Sequence, residues 1–274
     1  MEEQPPVGKG HIAEVRMDPV SACTASFWEH AYRYRFATQY VRGKRVLDIA
    51  SGEGYGTAVL GRAGSRSIVG IDISHEACSR AMEKYGEPFC AGDALAIPLS
   101  DHSVDVIVSF ETIEHVPRPD LFLDECVRVL VPKGILIVST PNKAVHSEAP
   151  EQNPFHCSEM NEGDFLFLLG SRFRHTKRYV QVVKTAPWWS PRSLAATHSQ
   201  WLRIKGGWRA REWIRSRLCP QILRELDPED RQSPVEAILS KDRPLASWVN
   251  PYCVRARSRS KRERPWYLIA VSHD

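Results

Sequence analysis

Four short apolar runs constrain this chain more than any other feature: RVLDIA at 45–50, SIVGIDI at 67–73, VDVIVSF at 104–110 and GILIVST at 134–140. Each is bounded by turn residues and rich in β-branched side chains, so each reads as a strand. Runs this continuous mark strands buried on both faces, the habit of parallel sheets. Helical signals fill the gaps. YGTAVLGRAG (55–64) is a short helix stopped by Gly61 and Gly64. Ser74 can cap a helix in which Cys78, Ala81, Met82 and Tyr85 recur at helical spacing. Phe122, Cys126, Val129 and Leu130 mark another helix face before a PKG turn at 132–134. PFCAGDA (88–94) is a weaker third strand, RYVQVV (178–183) a sixth and PWYLIAV (265–271) the last. Strand and helix in alternation imply an α/β fold with a doubly wound sheet.

Such sheets bind ligands outside the carboxyl ends of their strands, so chemistry is sought in the residues that follow each run. After the first comes Asp48, then Gly52-Glu53-Gly54-Tyr55-Gly56. Asp72 ends the second strand, twenty residues after Gly52, where a carboxylate can accept hydrogen bonds from ribose hydroxyls. Asp93 and Ala94 end the third, beside the expected adenine. A pyrophosphate wants a helix N-terminus free of negative charge. Asp48 and Glu53 crowd this one, which suits a ligand without phosphates and with an ammonium group. S-adenosylmethionine meets that description, and the glycines let the backbone approach its amino acid end.

The run VLDIASGEGYG, GIDIS, GDA and SFETIEHV, in that order, resembles the class I S-adenosylmethionine-dependent methyltransferases across about residues 28–183. The resemblance implies a seven-stranded Rossmann-like sheet whose last strand is antiparallel. It implies cofactor contacts at Asp48, Gly52, Gly54, Asp72, Ile73, Asp93, Ala94, Phe110 and Glu111. Ala50-Ser51 departs from the Gly-Cys or Gly-Ser of many relatives. EHAYRYRFA (29–37), STPNK (139–143) and NPFHCSEM (153–160) narrow the likeness to a bacterial subgroup associated with surface-polysaccharide biosynthesis. That subgroup implies O-methylation of a sugar or glycan-linked hydroxyl. Arg33 is placed to pair the cofactor carboxylate, or else lies on a helix that packs its aromatics on the sheet edge.

Methyl transfer requires an aligned nucleophile, and a hydroxyl nucleophile must also lose its proton. His115, just past the fourth strand, is the expected catalytic residue, and His156 of NPFH is expected to line the acceptor pocket. The reading assigns no metal. A divalent ion such as Mg²⁺ on Glu111, Glu114, His115 and His156 is the alternative, by likeness to small-RNA ribose and quinone O-methyltransferases. A non-catalytic cofactor-binding module is the third class.

Charge divides the chain. Residues 1–183 carry 19 Lys/Arg against 24 Asp/Glu, and 184–274 carry 18 against 9. Five of the eight Trp fall between 188 and 213. The expected organisation is a helical cap (1–44), the cofactor-binding core (45–183), a basic Trp-rich insertion (184–264) and the last strand (265–274). WLRIKGGWRAREWIRSRL (201–218) suits either a helical cap or peripheral contact with a membrane surface, and RARSRSKRER (255–264) reads as a solvated loop. No nucleic-acid module is recognisable, so a small-molecule, sugar or glycan acceptor is expected. Seven scattered Cys without a CxxC pair and an N-terminus unlike a signal peptide point to a reducing, cytoplasmic setting.

Overall fold

The computed structural model describes residues 25–146, 156–183, 234–239, 252–256 and 267–274. In chain order these form α1 (Ala25–Val41), β1 (Arg45–Ile49), α2 (Tyr55–Arg62), β2 (Ser67–Asp72), α3 (His75–Tyr85), β3 (Phe89–Ala91), β4 (Val104–Phe110), α4 (Pro119–Val129) and β5 (Leu130–Pro141). Then come α5 (Lys143–His146), α6 (Glu162–Gly170), β6 (His175–Val183), α7 (Pro234–Leu239), β7 (Tyr252–Ala256) and β8 (Tyr267–His273). The strands make one sheet in the order β3-β2-β1-β4-β5-β8-β6-β7. β1 to β5 are parallel, and β8 inserts antiparallel between β5 and β6.

The apolar runs are buried on both faces because neighbouring residues feed opposite layers. Val46 joins one core with α1, α2 and α7, while Leu47 and Ile49 join the other with α4 and α6. Val106 and Val108 fall in the first core and Ile107 in the second. This is the period-2 alternation of a strand with helices on either side. Ser74 caps α3 as expected, its hydroxyl accepting from the Ala77 N–H at 3.2 Å.

Two details differ from the sequence reading. The PKG turn does not precede β5 but lies within it. Val104 pairs with Leu130 and Val106 with Ile135, so residues 131–134 bow out of register, with Lys133 at φ 64°. Second, an eighth strand joins the seven expected. β7 pairs antiparallel with β6, Val180 opposite Arg255 and Tyr179 opposite Ala256. The start of RARSRSKRER is therefore ladder rather than solvated loop, because β6 otherwise leaves an open edge. The Trp-rich segment at 201–218, and with it the expected cap or membrane contact, lies outside the described residues. Among the described residues no helix is long and apolar enough to cross a membrane.

Candidate active site

The strand order turns at the β1/β4 boundary, and the loops after those two strands open the crevice where such sheets take ligands. On the β1 side, Asp48 shares the face of Val46 and points toward the helices. Its carboxylate is fully buried, accepting from Thr57 Oγ1 at 2.7 Å and from the Tyr34 hydroxyl at 3.1 Å. Burial pushes its pKa up to about 7; the hydrogen bonds of Thr57 and Tyr34 oppose the rise, and Asp72 adds to it. Asp48 thus sits beneath the glycine turn. Glu53 is drawn outward instead, held by Arg80 at 2.7 Å.

The glycines have separate reasons. Gly52 has φ +55°, and a Cβ placed there would meet nothing within 4 Å, so its face is open to a ligand. A Cβ on Gly54 would lie 2.5 Å from Ala81 Cβ, and one on Gly56 would lie 2.0 Å from the Tyr34 ring. Those two are small because protein packs against them.

Asp72 is nearly buried at the end of β2. Its Oδ2 accepts the Gly52 N–H at 2.9 Å and its Oδ1 the Ser74 N–H at 3.0 Å. The carboxylate is thereby fixed beside the open glycine. Ile73 next to it is 57 % exposed, an apolar side chain left at the surface beside the carboxylate. Asp93 and Ala94 follow β3; Asp93 is exposed, its Oδ1 accepting from the Leu95 N–H at 2.8 Å. An open backbone at Gly52, a braced carboxylate at Asp72 and an exposed apolar side chain at Ile73 stand together here, chemistry compatible with S-adenosylmethionine.

On the β4 side Phe110 is buried edge-on to Tyr34 at 5.1 Å, and Glu111 turns through φ +53°. Glu111 Oε1 accepts from Ser139 Oγ at 2.8 Å and lies 3.8 Å from Arg33. Arg33 is itself fully buried, donating to Gln181 at 2.6 Å and stacking over Tyr267 at 4.2 Å. Arg33 and Tyr34 are both built into the interior, Tyr34 against the central strands β1 and β4 rather than the sheet edge.

His115 and His156 come together, their rings edge to face at 4.9 Å. Glu114 is fully buried behind them, and burial and then the Glu111 carboxylate push it well above the usual carboxylate range. The backbone N–H groups of Cys157 and Ser158 both donate to the Glu114 carbonyl, tying the two segments. Glu111 is not part of this group. Sequence reasoning missed Thr57 and Tyr34 as partners of Asp48. It also passed over Glu159, whose i,i+3 spacing from His156 was visible and whose Oε1 lies 2.8 Å from His156 Nδ1.

Residues 47–138 match the methyltransferase domain family. A probable S-adenosylmethionine-dependent methyltransferase of Mycolicibacterium smegmatis is 34 % identical over 146 residues, 52 % of this chain and 56 % of that protein. A fatty-acid O-methyltransferase of the same organism is 31 % identical over 140 residues, 50 % of this chain and 48 % of that one. The chain spans about half the length of these curated relatives. Among solved structures, an S-adenosylmethionine-dependent methyltransferase of Thermotoga maritima, described as a possible histamine N-methyltransferase, superposes with TM-score 0.55. That match covers 90 % of this chain and 91 % of the other at 17 % identity, and it shows the fold. The fold is that of the class I methyltransferases. Residues 47–138 are similar to a methyltransferase domain, and the relatives that share this stretch include S-adenosylmethionine-dependent enzymes.

Proposed function

We propose that the chain transfers the methyl group of S-adenosylmethionine to an oxygen of a small acceptor, with a sugar or glycan-linked hydroxyl as the first candidate. The observation that carries the reading is the braced pair of Asp72 and Gly52 beside open space. The cofactor supplies an activated methyl on a sulfonium. Asp72 would take its ribose, Asp93 and Ile73 its adenine, and the Gly52 backbone, above Asp48, its amino acid end. The acceptor would approach from the β4 side, and the reading is supported by the meeting of His115 with His156 just past that strand. His115 is the residue proposed to carry the acceptor chemistry, because it is the half-buried imidazole just past β4.

The glycan acceptor rests on the likeness of STPNK and NPFHCSEM. A lipid acceptor is the second reading, favoured by the fatty-acid O-methyltransferase among the relatives. Radiolabelled S-adenosylmethionine offered with nucleotide sugars, lipid-linked glycans and free fatty acids separates the two. Label in the sugar fractions supports the first, and label confined to fatty acids replaces it with the second. No S-adenosylhomocysteine with any acceptor would leave only a cofactor-binding module.

A further inference from the structure

Glu114, His115 and His156 each offer one ligand atom, and these atoms all lie within 4.8 Å of one another. One carboxylate oxygen of Glu114, Oε1, is buried with no hydrogen-bond partner, while Oε2 accepts from Thr140 at 3.2 Å. A buried carboxylate oxygen left unpaired is costly, and a cation is one of the few groups that satisfies it. His156 is oriented as a ligand would be. Its Nδ1 lies 2.8 Å from Glu159 Oε1. A carboxylate accepts only, so in the neutral imidazole that nitrogen carries the proton and Nε2 the lone pair. This is the outer-shell arrangement that fixes metal-bound imidazoles. The Cys157 and Ser158 N–H groups on the Glu114 carbonyl, at 2.8 and 3.0 Å, and Ser158 Oγ on the Val116 carbonyl at 3.2 Å hold the segments in place.

We propose that Glu114, His115 and His156 bind one divalent transition-metal ion at the acceptor side of the site. The reading rests on the acceptor pocket assigned above and specifies the role of His115 there, as a ligand. Two nitrogens and one oxygen suit Zn²⁺, with Co²⁺ as its spectroscopic stand-in, rather than Mg²⁺, which prefers oxygen. Zinc bonds of about 2.0–2.2 Å bring the ligand atoms closer than they stand here, a contraction within reach of two half-buried imidazoles. Three protein ligands leave positions for an acceptor hydroxyl, and a metal-bound hydroxyl ionises near neutral pH. Glu159 is a positioning residue, acting through His156.

The test uses the full chain stripped with chelator and titrated with Co²⁺, read by its visible d–d absorption. One equivalent is expected to bind, with at least tenfold weaker binding and lost bands in His156→Ala and Glu114→Gln. Glu159→Gln is expected to weaken binding about tenfold. Mg²⁺ at the same concentration is expected not to compete. Saturable binding absent from the wild type overturns the proposal, and so does binding unchanged in His156→Ala. Thermal unfolding checks each variant, and His156→Ala decides alone if the buried Glu114→Gln fails to fold. Calorimetry of S-adenosylmethionine on the same samples reads the cofactor site separately, so a failure there is not mistaken for failure here.

Discussion

Thr57 Oγ1 donates to Asp48 Oδ2 at 2.7 Å, joining the first turn of α2 to the end of β1 beneath the glycine loop. With burial pushing Asp48 up to about 7, the cofactor-free protein holds a carboxyl that is largely protonated below neutral pH. A cofactor ammonium favours the ionised form, so binding must displace that proton in acid. Affinity for S-adenosylmethionine is therefore expected to be flat above pH 7 and to fall toward tenfold per unit below it. Calorimetry at pH 6 in two buffers of different ionisation enthalpy should register proton release, and Asp48→Asn should abolish it. The same raised pKa has a stability consequence. The folded state keeps the proton longer than the unfolded chain, so this group's contribution falls as pH rises from about 4 to about 7 and is constant above that.

Ala50 stands at φ +58° in a conformation that favours glycine, on an exposed turn. A non-glycine residue there costs about 1–2 kcal/mol. Ala50→Gly should therefore stabilise the protein by about 1 kcal/mol, raising Tm by about 2–4 °C in a chain of this size. A scan showing no rise, or a fall, would mean that the turn relaxes around the alanine.

Gly52, in the loop after β1, and Gly56, in the first turn of α2, lie four residues apart yet should fail in different ways. Gly56→Ala drives a methyl into the Tyr34 ring, which is itself pinned on Asp48. Overpacking of this kind costs about 1–3 kcal/mol, so lost stability is the expected phenotype. Gly52→Ala meets no protein atom and pays only for its φ of +55°. Its expected phenotype is a folded protein whose affinity for S-adenosylmethionine drops at least tenfold. Denaturant melts and calorimetry on the two variants check the contrast, and equal cofactor affinity in Gly52→Ala and wild type would place the ligand elsewhere.

The sheet was legible because its strands are local and nearly all apolar: β1, β2, β4 and β5 follow from 45–50, 67–73, 104–110 and 134–140. The antiparallel last strand came from family likeness, since nothing in PWYLIAV states its direction. β7 escaped because its partner is far away in sequence and the basic run around Arg255 outweighs the short alternation of Tyr252 and Val254. In the site, acids at strand ends were readable from position. Their employment was not, because it depends on tertiary neighbours: Asp48 faces Thr57 and Tyr34, and Glu53 faces Arg80. Three glycines that look alike in GEGYG have one open face and two packed ones. The meeting of His115 with His156 required the Glu114 carbonyl to receive Cys157 and Ser158, a long-range contact that no spacing rule contains.

His115 is the residue on which the acceptor reading turns. It lies on the β4 side, while the braced carboxylate and open glycine belong to β1 and β2. His115→Gln keeps a polar side chain but removes an imidazole able to take a proton or hold an ion. Loss of such a group from the reacting oxygen typically costs about 10²–10⁴-fold in rate. The expected result is a kcat lowered at least a hundredfold with S-adenosylmethionine affinity within twofold of wild type. Single-turnover methyl transfer together with calorimetry measures both. A loss of cofactor affinity with kcat unchanged would move His115 to the cofactor side and leave the acceptor oxygen without a protein partner on β4.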